Sequence, residues 1–482
     1  MSTQAPTRGC ALALAVFSLT SSAASAAESE APVQKPTPLE QELQELESER
    51  LEKKPEAAPL DRALADAPAP AVAGGDIWSK QLGPVNLRFL DLSADLLFAA
   101  GSSTATDEEL QSLEGGDHDP RKRGFTIQNV ELSLTGAVDP YFNAELHIVY
   151  FLDPLEGESV LELEEAFLTT NELPFGLEEY GLQLEAGQFF TEFGRINPVH
   201  PHAWDWVDQS VINSRVFGPD GLRGPGLRLG WLTPLPWFSE VHLGMQNANG
   251  ETMASFFSNE ELAEERPIGG RPFVDQSVRD LGDFTYLTRW DNSWDLSETV
   301  TTKLGGSAVF GPNSTGADGD TIIYGADFLL RWRPLDNDHG WPFVNWQSEI
   351  IKRDYDAAAF LDEGADPVDP ADDVLYPQDD LEDWGLYTQL LYGFVRNWGV
   401  GVRYEYASGS GASLGPFTDR SEDPFRDDRH RVAPLILWSP THFSRIRLQY
   451  NYDRAEHLSE DDAHSVWLGF EALWGKHPAH TY

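Results

Sequence analysis

From about Pro84 onward, apolar and polar residues alternate with period two. In Trp398–Tyr406 one face carries Trp398, Val400, Val402, Tyr404 and Tyr406, and the other Gly399, Gly401, Arg403 and Glu405. Ile446, Leu448, Tyr450 and Tyr452 oppose Arg445, Arg447, Gln449 and Asn451 in the same way. Val130, Leu132 and Leu134 oppose Glu131, Ser133 and Thr135. Ile322 to Trp332 alternates too, with Ile323 and Leu329 breaking the polar face. Alternation sustained over this length predicts strands with one apolar and one polar side. The apolar faces often end in Trp or Tyr, and the polar faces hold Arg and Glu in mid-strand. That suits lipid outside, water inside and aromatic girdles at both interfaces. Lipid also demands a closed sheet, because an unpaired strand edge has no partner there.

Sixteen strands are expected, at about Val85–Ala99, Gly124–Val138, Tyr141–Leu152, Val160–Thr169, Leu182–Phe190, Gly226–Leu232, Glu240–Asn247, Asp283–Asp291, Glu298–Phe310, Asp320–Arg333, Pro342–Arg353, Trp384–Val395, Trp398–Ala407, Asp428–Trp438, His442–Asp453 and His464–Trp474. The fold class is therefore all-β, a transmembrane antiparallel barrel. The odd-to-even links include five long ones: Gly101–Arg123, Thr191–Pro225, Ala248–Gly282, Asp354–Asp383 and Ser408–Asp427. The even-to-odd links are generally shorter, most clearly at Asp139-Pro140, Arg396-Asn397 and Ser439–Thr441. Long outer loops and short periplasmic turns are the asymmetry such barrels have.

Residues 1–26 read as a secretory signal, with Arg8, an apolar Ala11–Leu19 and the small Ala24-Ser25-Ala26. Residues 27–80 read as an acidic Ala/Pro/Glu-rich periplasmic tail, and 81–482 as the barrel. In the tail, Leu39, Leu43 and Leu46 fall at heptad spacing: a short oligomerising helix and a disordered tail both fit. Cys10, inside the signal, is the single cysteine of 482 residues, which excludes a disulfide framework. No stretch beyond the signal is long and apolar enough for a membrane helix.

Asp and Glu total 79 against 34 Lys and Arg, a formal charge of −45, which excludes a partner held by nucleic-acid phosphates. Much of that excess lies in outer loops: Asp354–Asp383 holds twelve acids and no Lys or Arg. The expected lumen is mixed, with Arg289, Lys303, Arg331, Arg333, Arg403, Arg445 and Arg447 against Glu131, Glu145, Asp327, Glu349 and Glu405. Those bases could form a ladder for anions or pair with the lumenal acids. No GxSxG, HExxH or GxxxxGK[ST] motif is present, so nothing points to an enzyme.

The specific segment is Gly187–Gly226. It is aromatic, punctuated by Gly and Pro, and follows the fifth strand. Folding into the barrel would bury Trp204, Trp206 and Phe217 and narrow the pore. His200-Pro201-His202 with Asp205 and Asp208 could bind zinc or another divalent ion, or anchor the loop by hydrogen bonds. His477 and His480 could make a second, weaker site.

Sixteen strands, a heptad-bearing tail, AGQF (186–189) and a large third outer loop together resemble the phosphate-selective type of Gram-negative porin. The block FGRINPVHPHAWDWVD (193–208) also resembles outer-membrane proteins described as zinc-regulated, TonB-dependent receptors. The porin resemblance implies passive diffusion without a cofactor and packing as a homotrimer. Outer-membrane lipid, lipopolysaccharide and the barrel-assembly machinery are the partners it implies. It would place Arg195, His200, His202, Asp205, Asp208 and Arg215 near the constriction. The receptor resemblance implies metal or ligand uptake through the His-rich loop.

Overall fold

The computed structural model describes residues 79–82, 85–88, 90–153, 157–362 and 373–475. The signal, the leucine heptads, His477 and His480 lie outside the described residues. No helix among the described residues is long and apolar enough to cross a membrane.

Sixteen antiparallel strands form one closed barrel. They are β1 (Asp91–Ser103), β2 (Gly124–Ala137), β3 (Phe142–Leu152), β4 (Ser159–Thr170), β5 (Leu182–Phe190), β6 (Arg223–Leu232), β7 (Phe238–Asn247) and β8 (Phe284–Ser297). The second half is β9 (Val300–Pro312), β10 (Asp320–Trp332), β11 (Phe343–Ala357), β12 (Asp379–Val395), β13 (Trp398–Ser410), β14 (Arg429–Thr441), β15 (Ser444–Ala455) and β16 (Asp462–Gly475). Each strand pairs with its neighbour in sequence, and β16 closes on β1 with Ser465 opposite Ser103 and Gly475 opposite Ser93.

All sixteen expected strands are present, with shifted ends. The first starts at Asp91, because Val85–Arg88 instead pairs with Ser79–Leu82 in a separate hairpin. β11 and β12 run further out than expected, to Ala357 and from Asp379, and Phe360–Asp362 pairs with Val374–Tyr376 beyond them. Ser439–Thr441 belongs to β14, and His442-Phe443 makes the turn. In this register the long links all gather at one end, which is the outer end of such a barrel.

The exterior is apolar. Leu304, Ile350, Leu390, Val402, Ile436 and Leu468 are exposed outward in mid-strand. Trp398 stacks on Trp438 at 5.7 Å at one rim, and Trp384 meets Tyr406 at 5.1 Å toward the other. Their neighbours of opposite parity, Arg403, Glu405, Gln389, Arg447 and Gln449, point inward and are buried. A greasy outside on a closed sheet has one compatible solvent: this is an outer-membrane barrel.

The inside is largely filled. Three outer loops fold into the barrel: L1 (104–123), L3 (191–222) and L4 (248–283). L1 carries α1 (Asp107–Leu113), opened by a capping box in which Thr106 and Glu109 satisfy each other's backbone N–H. Leu110 and Leu113 of α1 pack with Ala99, Ala455, Leu458 and Trp467. From L3, Phe193, Val216 and Phe217, and from L4, Met253, Phe256 and Phe257, pack onto Leu287, Val309, Ile323, Ile351 and Tyr387. Ile323 and Leu329, which break the polar face of β10, therefore do point inward, and Ile323 is where the loop core needs an apolar wall.

Candidate functional site

L3 leaves β5 at Phe190 and turns inward at Gly194, whose φ is +65°. A Cβ there would overlap the Glu349 carboxylate, so both the left-handed backbone and the close approach call for glycine. The backbone N–H of Gly194 donates to Ser307 on β9 at 3.3 Å, and that of Arg195 to Glu349 on β11 at 3.4 Å. The loop then crosses the lumen. His200 reaches β4, the Trp204 and Trp206 carbonyls accept from Arg447 on β15, and the Trp206 indole donates to the Ala433 carbonyl on β14 at 2.9 Å. Gly401 on β13 gives Trp206 its space, since a Cβ at 401 would lie 3.0 Å from the ring.

Beyond Trp206, Asp208 is buried between Arg403 (2.5 Å) and Arg431 (2.7 Å), and also accepts from Gln449 and Asn451. The two guanidiniums hold its carboxyl below the usual range against the upward push of burial. α2 (Val211–Phe217) follows, buried throughout. No side chain of its own caps it; Glu405 of β13 accepts the Val211 N–H at 2.6 Å instead. Arg215 reaches up to Asp427 in the seventh outer loop at 3.1 Å.

Two β-bulges aim side chains at this loop. In β2 the register against β1 slips between Leu97 and Phe98, so consecutive Gln128 and Asn129 are both buried inward. In β4 it slips between His147 and Ile148, so Glu164 and Glu165 both face the lumen. The result is a cluster of acids and imidazoles under L3. His200 contacts Glu164 through Nδ1 at 2.8 Å and Glu165 through Nε2 at 2.9 Å. Glu131 meets His147 at 2.9 Å with one oxygen, and His202 at 2.9 Å and His200 at 3.3 Å with the other.

The residues singled out from sequence thus fall into four sets. Arg403, Glu405, Arg447, Arg289, Asp208 and Arg215 face inward but are sealed in ion pairs and carry almost no exposed surface. They do not face open water, because L1, L3 and L4 cover them. Arg195, Asp205, Lys303, Arg331 and Arg445 keep partial exposure. Arg195 sits 3.8 Å from Asp291 and 3.7 Å from Asp327; Arg445 pairs with Glu471. Arg333 lies past the end of β10, exposed at the periplasmic turn. His200 and His202 do come together, but with Glu131, Glu164, Glu165 and His147 rather than with Asp205 and Asp208. Those glutamates went unremarked as ligands in the sequence, although the doubled Glu164-Glu165 interrupts the alternation of β4 and marks the bulge.

No family model matches the chain. An uncharacterized protein of Aquifex aeolicus (strain VF5) is 28% identical over 416 residues, which cover 81% of this chain and 80% of that one. Among solved structures, the outer membrane channel DcaP of Acinetobacter baumannii matches with a TM-score of 0.49 at 11% identity, over 80% of this chain and 97% of that one. An anion-selective porin from Comamonas acidovorans matches with a TM-score of 0.45 at 7% identity, over 80% and 99%. The fold assignment above rests on the strand register of this chain itself.

Proposed function

We propose that the protein is an outer-membrane channel for passive diffusion of small hydrophilic solutes, with L3 as its constriction. The observation that carries this reading is a set of charged residues that stay partly exposed inside the barrel beside L3, with Arg228 among the acids and Asp291 among the bases. Glu145, Glu185, Glu192 and Glu240 line the β3–β7 side, and Arg195, Lys303 and Arg331 the β8–β10 side with L3. A barrel that served only as an anchor has no use for a partly exposed, charged interior, and an apolar cargo would require an apolar lining. The route runs beside L3 along β5–β9, where Glu192, Arg195, His242, Asp291 and Lys303 retain partial exposure. Such a route is narrow, so the unit conductance is small. The signal, the tail and a homotrimer held through Leu39, Leu43 and Leu46 belong to the same reading.

Planar-bilayer recording of the purified full chain tests it. Stepwise conductance is expected, with ion preference shifting toward cations in Lys303→Glu. Correctly folded protein that inserts without any steps would overturn the reading.

A further inference from the structure

The imidazole–carboxylate cluster between L3 and the β2–β4 wall has no part in the diffusion route. Its hydrogen-bond pattern does not close with neutral histidines. His200 meets a carboxylate at each ring nitrogen, Glu164 at 2.8 Å and Glu165 at 2.9 Å. A neutral imidazole has one donor and one acceptor, so one of those contacts would set lone pair against lone pair. Adding a proton to His200 satisfies it, yet the His147 and His202 rings lie 4.6 Å and 5.6 Å away and share the same Glu131. Protonating all three puts like charges side by side in a buried site, offset only by the carboxylates of Glu131, Glu164 and Glu165. Glu164 is almost fully buried, its Oε1 has no hydrogen-bond partner, and the guanidinium that faces it, Arg223, stands off at 3.9 Å. A buried acid held that loosely is stabilised further by a cation at bonding distance.

We propose that Glu131, His147 and His200 bind one divalent transition-metal ion of the zinc class, and that this ion clips L3 to the barrel wall. One ligand atom from each already lies within 4.8 Å of the other two. Tetrahedral zinc with bonds of about 2.0–2.1 Å sets its ligands about 3.3 Å apart, so closure takes shifts of about 1 Å. Two imidazoles and a carboxylate form a borderline donor set that favours zinc or cobalt over magnesium or calcium. Glu164 or Glu165, brought inward together by the β4 bulge, supplies the fourth ligand, and the other holds the outer nitrogen of His200. L3 contributes one ligand and the wall the rest, so binding and docking of the loop are the same event.

The test uses the purified full chain, stripped with a chelator and titrated with Co²⁺. The expected result is one ion per chain with the strong visible bands of tetrahedral, nitrogen-ligated cobalt, displaced by Zn²⁺. His200→Asn and His147→Gln should each weaken binding by more than the roughly 10–100-fold that loss of an outer-shell partner costs. Glu109→Gln, in the exposed acidic stretch of L1, should leave the bands unchanged. Native-like gel migration before heating checks the fold of each variant. X-ray absorption on the wild type counts imidazoles in the shell without any substitution, and two are expected. A pale octahedral spectrum, bands that survive both histidine substitutions, or no binding would overturn the proposal and leave a purely protonic cluster.

Discussion

Glu114 and Asp208 form the contact between L1 and L3 whose energetics are most sharply predicted. Four buried carboxylates, Glu114, Asp208, Glu405 and Asp453, meet three buried guanidiniums, Arg403, Arg429 and Arg431. Arg431 donates to Glu114 at 3.0 Å, to Asp208 at 2.7 Å and to Asp453 at 2.8 Å. The acids outnumber the bases by one. Burial, with the charges of Asp208 and Asp119, pushes the Glu114 carboxyl well above its usual range, although Arg431 opposes it. The group therefore shares one proton, and burial makes Glu114 the acid at which its placement is tested. If the proton rests there, Glu114→Gln keeps shape and charge and should cost no more than about 1 kcal/mol. Asp208→Asn removes the anion between Arg403 and Arg431, but Glu114 can then ionise and take its place, so the cost should be about 1–2 kcal/mol. With both changes only Glu405 and Asp453 face three guanidiniums, so one buried positive charge goes uncompensated, which costs about 3–5 kcal/mol. The double variant should thus exceed the sum of the singles by about 1–2 kcal/mol. Denaturant unfolding of the detergent-folded barrel gives the cycle, and hydrogen exchange across Val207–Phe217 locates the loss. Additive singles, or a Glu114→Gln as damaging as Asp208→Asn, would refute the assignment of the proton.

Trp206→Ala should cost about 3–5 kcal/mol, because the buried indole packs on Leu391, Leu435 and Leu437 and its N–H holds the Ala433 carbonyl; exchange protection of L3 should fall while that of the strands holds. Asp119 in L1 is raised to about 7 by burial and by Asp208, from an ordinary 3.8. An acid raised in the folded state favours folding while protonated, so the L1–L3 contact should be firmest below 3.8, weaken as pH rises to about 7 and stay weakest above. Exchange of Gln209, whose N–H donates to Asp119 at 2.7 Å, should report this slope, and Asp119→Asn should abolish it. Val402→Arg on the lipid face should destabilise by about 2–4 kcal/mol in bilayers, measured by reversible unfolding from lipid vesicles.

The barrel was legible because lipid imposes a rule on every second residue. Val400 and Val402 must face acyl chains, so Gly401, Arg403 and Glu405 must face in, and that parity fixes each strand. Strand ends were less legible, because period two says nothing of where pairing stops: β12 starts at Asp379 in a run of acids that reads as loop. The cluster under L3 was half visible. His200 and His202 stand out in sequence, but their partners come from β2, β3 and β4, and nothing local to the histidines marks Glu131 or Glu164. Asp205 and Asp208 were the wrong neighbours for a physical reason. The chain turns at Trp204 after a one-turn helix at Pro201–Ala203, which carries Asp208 across to Arg403 and Arg431.

If the barrel is the channel proposed above, its inward apolar residues limit how it can open. Phe193, Trp204, Trp206 and Phe217 are all buried by the docked loop. Returning four such side chains to water costs roughly 6–12 kcal/mol at 1.5–3 each. At 1.4 kcal/mol per factor of ten, even the lower figure leaves L3 expelled in fewer than about one molecule in 10⁴. Wholesale ejection of the loop therefore cannot carry a resting flux. On the proposed channel reading, conduction uses the margin of L3 beside β5–β9, where polar contacts flank the Phe193 anchor on Leu287 and Val309. There Arg228 bridges Glu185 and Glu192, and Arg195 lies within 3.8 Å of Asp291. Salt weakens pairs that touch water far more than it weakens buried aromatic packing. Unit conductance should thus climb with ionic strength more steeply than bulk conductivity does, and Arg228→Gln should flatten that excess by loosening the margin beforehand. A strictly proportional conductance in both proteins would place the route elsewhere.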